Sequence, residues 1–244
     1  KGNLLRTVDP ALVAYSFADF YGTDAWYPAA SAKLEMPYIL RDTRGLVLEL
    51  NPFQYNPATH TLRVATRLTV EVSLAGAGGE NPLTVKPATR VQDFEQLYAR
   101  HYLNYSALNE RYASIGEVGS MLVISYDAFA SAAQPFVAWK NQLGIPTTLV
   151  NVSAIGATGA QIKTYIQNLY NASDLAFIVL VGDAAQVPYY NHGGASDPSY
   201  AFLAGADNYP DAFVGRLSAE TLAQVETQVR RSIEYERDAQ SAAA

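Results

Sequence analysis

The sequence predicts a β-rich, β-sandwich-like domain followed by an α/β domain with a mainly parallel sheet flanked by helices. Before about residue 80, short runs alternate apolar and polar side chains, which is typical of strands with one buried face. From residue 119 onward, apolar strands alternate with amphipathic helices, which favours a parallel sheet with right-handed crossovers. We therefore divide the chain into a β-rich domain at 1–80, a connecting segment at 81–118 and an α/β domain at 119–244.

The β-rich domain is predicted from patterns before a glycine-rich linker at 75–79. Apolar runs at 38–40 and 46–50 flank a turn-prone stretch at 42–45. Residues 51–61 contain two Pro and two Asn, so we expect a loop there. Residues 62–74 alternate between apolar side chains, such as Leu62, Val64 and Leu68, and polar ones, such as Arg63 and Arg67, and carry β-branched residues, which predicts one half-buried strand.

The connecting segment carries an aromatic stretch at 94–105 that predicts a helical turn or two. The α/β domain then follows in a regular order. We predict strands at 121–125, 147–152 and 175–181 and a short strand within 211–217. We predict one helix at 127–143, a second that begins after a capping box formed by Thr158 and Gln161, and a third over 222–233 with Ser218 as N-cap. The run at 175–181 is apolar throughout, as expected for a strand covered on both faces.

Composition excludes several classes of function. The net charge is -6 and no basic run occurs, which disfavours nucleic acid as a partner. No stretch approaches the ~20 apolar residues of a membrane span. The chain has no cysteine, so disulfides, thiolate metal sites and a cysteine nucleophile within it are excluded.

Acidic residues in two loops are candidate ligands. Asp183 follows the most apolar strand, where an Asp either binds a ligand at the carboxyl edge of the sheet or closes a turn. Asp207 and Asp211 flank a proline-containing loop, in which two carboxylates either converge on a hard cation such as calcium or face solvent. His192 lies near Ser196 and Asp197, but no nucleophile-positioning motif accompanies them, and we expect a local hydrogen bond instead.

From residue 119 onward the chain resembles the gingipain-type cysteine peptidases. The resemblance lies in MLVISYDAF, FVAWKNQLGIPTTLVNV, LVGD, ASDPSYAFLAGADNYPDAFVGRLS and QVRRSIEYER, which follow one another in the family's order. Upstream, YILRDTRGLVLELNPFQYNPATHTLRV and FEQLYARHYLNY resemble the propeptide of the same family. The chain is thus similar to a propeptide joined to the first subdomain of a catalytic domain.

The resemblance implies a secreted or cell-surface bacterial precursor whose propeptide covers the protease until cleavage. It places the catalytic His and Cys in the second catalytic subdomain, so we assign no catalytic residue to this chain, which by itself is expected to be inactive. The expected partners are that remaining subdomain and, for the complete enzyme, protein or peptide substrates. An alternative of another class is a non-catalytic binding or structural protein on the same scaffold.

The resemblance also implies structural calcium and a processing point. Calcium would bind the carboxylates of Asp207 and Asp211 and the main-chain oxygens of Ala204 and Tyr209, and a further calcium would lie near Asp183. Cleavage is expected between Arg111 and Tyr112, in a linker whose accessible backbone suits proteolysis. Without the family, the sequence fits an ordinary solvated Arg111 beside a packed Tyr112 equally well.

Overall fold

The computed structural model describes residues 7–73, 76, 79–84, 90–105 and 117–238. Its helices are α1 (Gln92–His101), α2 (Ala130–Gln142), α3 (Val152–Ile155), α4 (Gly159–Ala172) and α5 (Leu222–Asp238). Its strands are β1 (Ala32–Leu34), β2 (Tyr38–Leu40), β3 (Thr43–Gly45), β4 (Leu48–Leu50), β5 (Phe53–Asn56), β6 (Thr61–Val64), β7 (Ser120–Ser125), β8 (Thr147–Asn151), β9 (Leu175–Val181), β10 (Tyr190–Asn191), β11 (Ala195–Ser196) and β12 (Phe213–Leu217). Short 3-10 turns lie at Pro10–Leu12, Asp19–Gly22, Asp127–Phe129 and Pro198–Ala201.

The chain forms two compact units whose boundary differs from the predicted division at residue 80. The first unit comprises Lys1–Met36 and Leu46–Gly78, and the second comprises Pro37–Gly45 and Gly79–Ala244. The hairpin Pro37–Gly45 therefore belongs to the α/β unit, although it lies within the predicted β-rich domain. The described residues of the predicted connecting segment belong to the α/β unit as well.

The first unit is β-rich. Strand β1 pairs antiparallel with β4, and β5 pairs antiparallel with β6. These are separate two-stranded pairs among the described residues, so the β-sandwich stays a prediction. The predicted half-buried strand over 62–74 is wrong: of its described residues, 62–73, only those within Thr61–Val64 form a strand, and all residues of that strand are exposed. The expected loop at 51–61 contains strand β5 instead, because residues 57–60 alone make the turn back into β6.

The second unit is built on a parallel sheet with the strand order β12-β9-β7-β8. One face packs against α4 through Ile162 and Ile166, and the other packs against α2 and α5. Strand side chains alternate between the two faces, as the pleat requires: Leu122 and Ile124 join the first core, and Val123 joins the second. The predicted parallel sheet and its flanking helices are confirmed.

Side-chain caps mark the start of two helices, α4 and α5. Helix α4 begins with the predicted capping box, in which the Thr158 hydroxyl accepts from the amide of Gln161 and the Gln161 side chain accepts from the amide of Thr158. Helix α5 begins at the predicted residue, Leu222, but the predicted N-cap Ser218 is wrong. Thr221 and Gln224 form the reciprocal bonds at its start, while the hydroxyl of Ser218 donates to Asp183 instead.

A third apolar cluster joins the hairpin to the sheet. Tyr38 and Leu40 of β2 pack with Phe94 and Tyr98 of α1 and with Ala176 of β9. The predicted turn at 42–45 is partly wrong, because Thr43–Gly45 forms strand β3 and the chain reverses at residues 41 and 42. Arg41 adopts a φ of 56° there, which allows this tight reversal. The hairpin thereby contributes to the α/β core.

Candidate functional site

A loop of the second unit, residues 203–211, gathers two carboxylates at the amino ends of β9 and β12. Asp211 has no exposed surface. Its Oδ2 accepts hydrogen bonds from the backbone amides of Leu203 at 2.7 Å and Ala204 at 2.6 Å. Its Oδ1 accepts from the amide of Arg41 at 2.6 Å. Both oxygens of this buried carboxylate are thus satisfied by N–H donors.

Asp207 makes the second set of contacts. Its Oδ2 accepts from the amide of Ile39 at 2.6 Å and from the side-chain amide of Asn81 at 2.6 Å. Its Oδ1 accepts from the amide of Tyr209 at 3.0 Å, which closes the loop on itself. Asn81 also accepts from the amide of Ala206 through its Oδ1 and donates to the carbonyl of Pro37. Asn81 therefore links the loop to the base of the hairpin.

Arg41 of the hairpin is buried within the α/β unit. It is 1% exposed, which is rare for an arginine. Its Nη1 donates to the carbonyl oxygens of Leu175 at 2.7 Å and Asp211 at 2.9 Å. The guanidinium carbon lies 5.0 Å from the ring centre of Phe94 and 5.4 Å from that of Tyr170. The charge is therefore held by two carbonyls and two aromatic faces.

Aromatic side chains add further contacts between the hairpin, the loop at 203–211 and α1. Tyr38 stacks on Tyr209 of the loop with ring centres 3.9 Å apart, and its hydroxyl shares a 2.8 Å hydrogen bond with His101 of α1. The hydroxyl of Tyr98 donates to Asp42 and to the carbonyl of Leu40. The hairpin is consequently fixed to α1 as well as to residues 203–211.

Burial dominates the electrostatics of the site. Burial raises the pKa of the Asp211 carboxyl to about 6, although the amides of Ala204, Leu203 and Arg41 act in the opposite direction. Burial also lowers the pKa of the Lys163 ammonium to about 8.

Lys163 of α4 holds the chain that leads into this loop. Its Nζ donates to the carbonyls of Ser199 at 3.0 Å, Tyr200 at 3.2 Å and Phe202 at 2.6 Å. Gln167, one turn further along α4, donates to the carbonyl of Leu203 at 2.9 Å. Helix α4 thus sets the position from which Asp211 meets the hairpin.

The structure brings together Ala204, Asp207, Tyr209 and Asp211, the four calcium ligands predicted from the resemblance. In it, backbone amides donate hydrogen bonds to the two carboxylates. Ala204 and Tyr209 donate N–H groups to Asp211 and Asp207, and the carboxylate oxygens accept from further amides. Calcium needs six to eight oxygen ligands. Within the described ranges no group of three or more His, Asp or Glu residues is arranged to hold a metal. The predicted calcium shell has two carboxylates and two main-chain oxygens, so calcium binding stays a prediction.

Asp183 lies elsewhere, after β9. Its Oδ1 accepts from the hydroxyl of Ser218 at 3.1 Å, and its amide donates to the carbonyl of Ala219. The structure thus places Asp183 at the carboxyl ends of the strands, whereas Asp207 and Asp211 lie at the amino ends. The processing residues, Arg111 and Tyr112, lie outside the described residues, so their prediction stays untested.

The histidine near Ser196 forms a hydrogen bond, but its partner is 16 residues away rather than local in sequence. His192 shares a 2.9 Å hydrogen bond with Asn208. The carboxylate of Asp197 instead accepts hydrogen bonds from Arg216, from Nε at 2.7 Å and from Nη2 at 2.6 Å. These contacts do not assemble a Ser/His/Asp triad.

Sequence reasoning missed Arg41, Asn81 and Lys163. The one available signal was the position of Arg41 directly after the apolar run Tyr38–Leu40, next to a turn. Asn81 and Lys163 gave no signal, because their partners are more than 30 residues away in sequence.

Two family models match adjacent parts of the chain. The model of peptidase family C25 matches residues 114–244, and the model of the C25 propeptide matches residues 1–105. The hairpin and α1 thus fall in the propeptide match, and the parallel sheet falls in the peptidase match.

Curated relatives come from Porphyromonas gingivalis. Gingipain R2 is 34% identical over 98% of this chain and 33% of its own length, and gingipain R1 is 36% identical over 98% of this chain and 24% of its own length. Lys-gingipain HG66 is 25% identical over 96% of this chain and 14% of its own length. The chain therefore spans a third or less of the length of these relatives.

Part of this chain is also similar to solved structures of gingipain R. A complex of the Porphyromonas gingivalis RgpB pro- and mature domains has a TM-score of 0.46 and 33% identity over 48% of this chain and 29% of that chain. The Arg specific cysteine proteinase gingipain R has a TM-score of 0.47 and 32% identity over 51% of this chain and 30% of that chain.

Proposed function

We propose that this chain, which belongs to peptidase family C25 and carries that family's propeptide, is the amino-terminal portion of a secreted or cell-surface gingipain-like cysteine endopeptidase precursor. The observation that supports this most directly is the order of the two family matches, with the propeptide at 1–105 directly followed by the peptidase at 114–244. A bacterial origin agrees with the relatives from Porphyromonas gingivalis. No described helix is both long enough and apolar enough to cross a membrane.

We assign a separate role to each of the two matched segments, in the order in which they occur along the chain. The propeptide segment is an inhibitory cover, and the parallel sheet is the first subdomain of the catalytic domain. The buried contacts of Arg41 and of Phe94 with the sheet support a cover that packs as part of the α/β unit. The partner of this portion is the remaining catalytic subdomain.

In the complete precursor, peptide-bond hydrolysis would proceed through a Cys thiolate activated by a His base. This chain has no cysteine and so cannot supply that nucleophile. It would instead provide the sheet that positions the second subdomain. Protein or peptide substrates would bind to the complete enzyme.

The test is the full-length precursor, assayed on a broad peptide library before and after maturation. We expect little turnover before cleavage, clear turnover after it, and a mature fragment that begins at Tyr112. Arg111→Ala should delay this maturation. A different amino terminus, together with normal maturation of the Arg111→Ala precursor, would contradict the processing assignment.

The isolated chain should show no peptidase activity in the same assay. Turnover that survives purification and disappears on mutation of a residue of this chain would contradict this expectation. The alternative, a non-catalytic protein on the same scaffold, predicts a full-length protein that stays inactive after cleavage and lacks a downstream Cys and His.

Structural calcium is also proposed, held by the carboxylates of Asp207 and Asp211 and the main-chain oxygens of Ala204 and Tyr209, with a further calcium near Asp183. Calcium should then raise the melting temperature, and Asp207→Ala should remove most of that increment.

A further inference from the structure

We propose that residues 66–72 of the first unit are an association strand, which pairs antiparallel with the same segment of a second copy of this chain about a two-fold axis at Thr69. The pairing would bring Arg67 of each copy opposite Glu71 of the other. This inference rests on described residues of the first unit and does not depend on the proposed peptidase function.

The segment has the sequence pattern of a strand but no strand beside it. Apolar residues stand at Leu68, Val70 and Val72, with polar residues between them. These three side chains are 36%, 39% and 51% exposed. Among the described residues, none forms a strand ladder with the segment. A strand pattern with an unpaired edge and an uncovered face is a site to which another strand can be added.

The two charges of the segment are available for a partner. Arg67 and Glu71 are both exposed, and neither belongs to the ion pairs found within the described part of the chain. Arg63, by contrast, lies 4.0 Å from the ring centre of Trp26. Because side chains alternate along a strand, residues four apart lie on the same face. Arg67 and Glu71 would therefore both face the charges of a second strand.

Antiparallel pairing about Thr69 is the register that satisfies both charges. Residues at equal distances from a two-fold axis lie opposite each other, so Arg67 meets Glu71 at both ends of the ladder. Leu68 meets Val70 on the other face of the pair. An axis at Leu68 or at Val70 would leave both charges opposite uncharged residues. A parallel, in-register pair would place like charges side by side, which is unfavourable.

The signs of the charges favour a second copy as the partner. Exposed strand edges are often protected from self-association by charges of one sign, which repel the same segment of another molecule. Here the two charges have opposite signs and lie equally far from Thr69. The segment is therefore complementary to itself, and each cross-strand pair of opposite charges adds to the stability of the dimer.

Reversal of each charge tests the register. The mass of the full chain is measured by analytical ultracentrifugation over a range of concentrations, and we expect a reversible dimer. Arg67→Glu alone and Glu71→Arg alone should each raise the dissociation constant by roughly tenfold, because each places like charges opposite each other at both ends of the ladder. The double variant Arg67→Glu/Glu71→Arg should return the dissociation constant to within about threefold of the wild-type value.

Arg100→Glu is the matched control, since Arg100 is exposed on α1 and its reversal changes the net charge as Arg67→Glu does. Its dissociation constant should stay within about threefold of the wild-type value. Hydrogen exchange reports on the backbone: at high protein concentration, alternate amides within 67–71 should exchange roughly tenfold more slowly, and Arg67→Glu should abolish this protection. A single-chain mass at concentrations up to about 1 mM, or a dimer that neither single reversal weakens, would overturn the proposal. A dimer that the double variant fails to restore would overturn the register and the proposal with it.

Discussion

At the residue scale, Asp211 is a buried acid whose pKa lies near 6 because of burial. The charged groups around it are Asp207 of its own loop, Arg41 of the hairpin and Lys163 of α4. An acid with a raised pKa in the folded state binds its proton more tightly there than in the unfolded chain. Its contribution to stability is therefore present at low pH and is lost as the pH rises through the folded-state value.

This sign predicts how the free energy of unfolding depends on pH. Between about pH 4 and pH 6 the wild-type value should fall relative to that of Asp211→Asn, by up to about 3 kcal/mol, because a pKa unit corresponds to about 1.4 kcal/mol. Urea unfolding at a series of pH values measures the difference. Parallel pH profiles for the two proteins would show that Asp211 does not titrate in this window.

At the element scale, the start of α4 matters because this helix carries Lys163 and Gln167, which hold the chain entering the 203–211 loop. Thr158→Ala removes the side-chain half of its capping box and should lower the free energy of unfolding by about 1 kcal/mol. Thermal or urea unfolding provides the measurement.

The control lies in the same helix. Thr164 is exposed and its hydroxyl bonds only to the carbonyl of Ala160, one turn earlier. Thr164→Ala should therefore change stability by less than about 0.5 kcal/mol. If both variants lose the same amount, the cap contributes nothing beyond the loss of a threonine.

At the scale of the whole molecule, the two units differ in how much apolar surface they bury. The buried apolar side chains all lie in Pro37–Gly45 and in the described residues after 79, whereas Leu12, Tyr15 and Phe17 of the first unit are 83%, 77% and 71% exposed. Apolar burial is the main favourable term in folding. We therefore expect the first unit to unfold at a lower urea concentration.

The two tryptophans allow this to be measured. Trp26 lies in the first unit, 4.0 Å from the Arg63 guanidinium, and Trp139 lies in the second, where its ring nitrogen donates to Glu236 at 2.8 Å. In urea, the fluorescence of the Trp139→Phe variant, which reports on Trp26, should change before that of Trp26→Phe. Coincident transitions in both variants would mean that the units unfold together.

The sequence by itself determined the elements whose signals are local. The apolar run at 175–181 predicts β9, and Thr158 with Gln161 predicts the start of α4, because strand burial and capping depend on neighbouring residues. The prediction from the alternation at 62–74 was wrong for a related reason. Alternation predicts a half-buried strand only where another element covers its apolar face, and no described residue of β6 is buried.

Only the tertiary structure decided the hydrogen-bond partners of Asp207 and Asp211. Their spacing in sequence fits either a cation or a solvated turn, and the family resemblance favoured calcium. The structure turns both towards the amides of Ile39 and Arg41, which lie 168 and 170 residues away. The partner of a carboxylate is set by which donor the fold brings within hydrogen-bond distance, and no local pattern records a contact across so much of the chain.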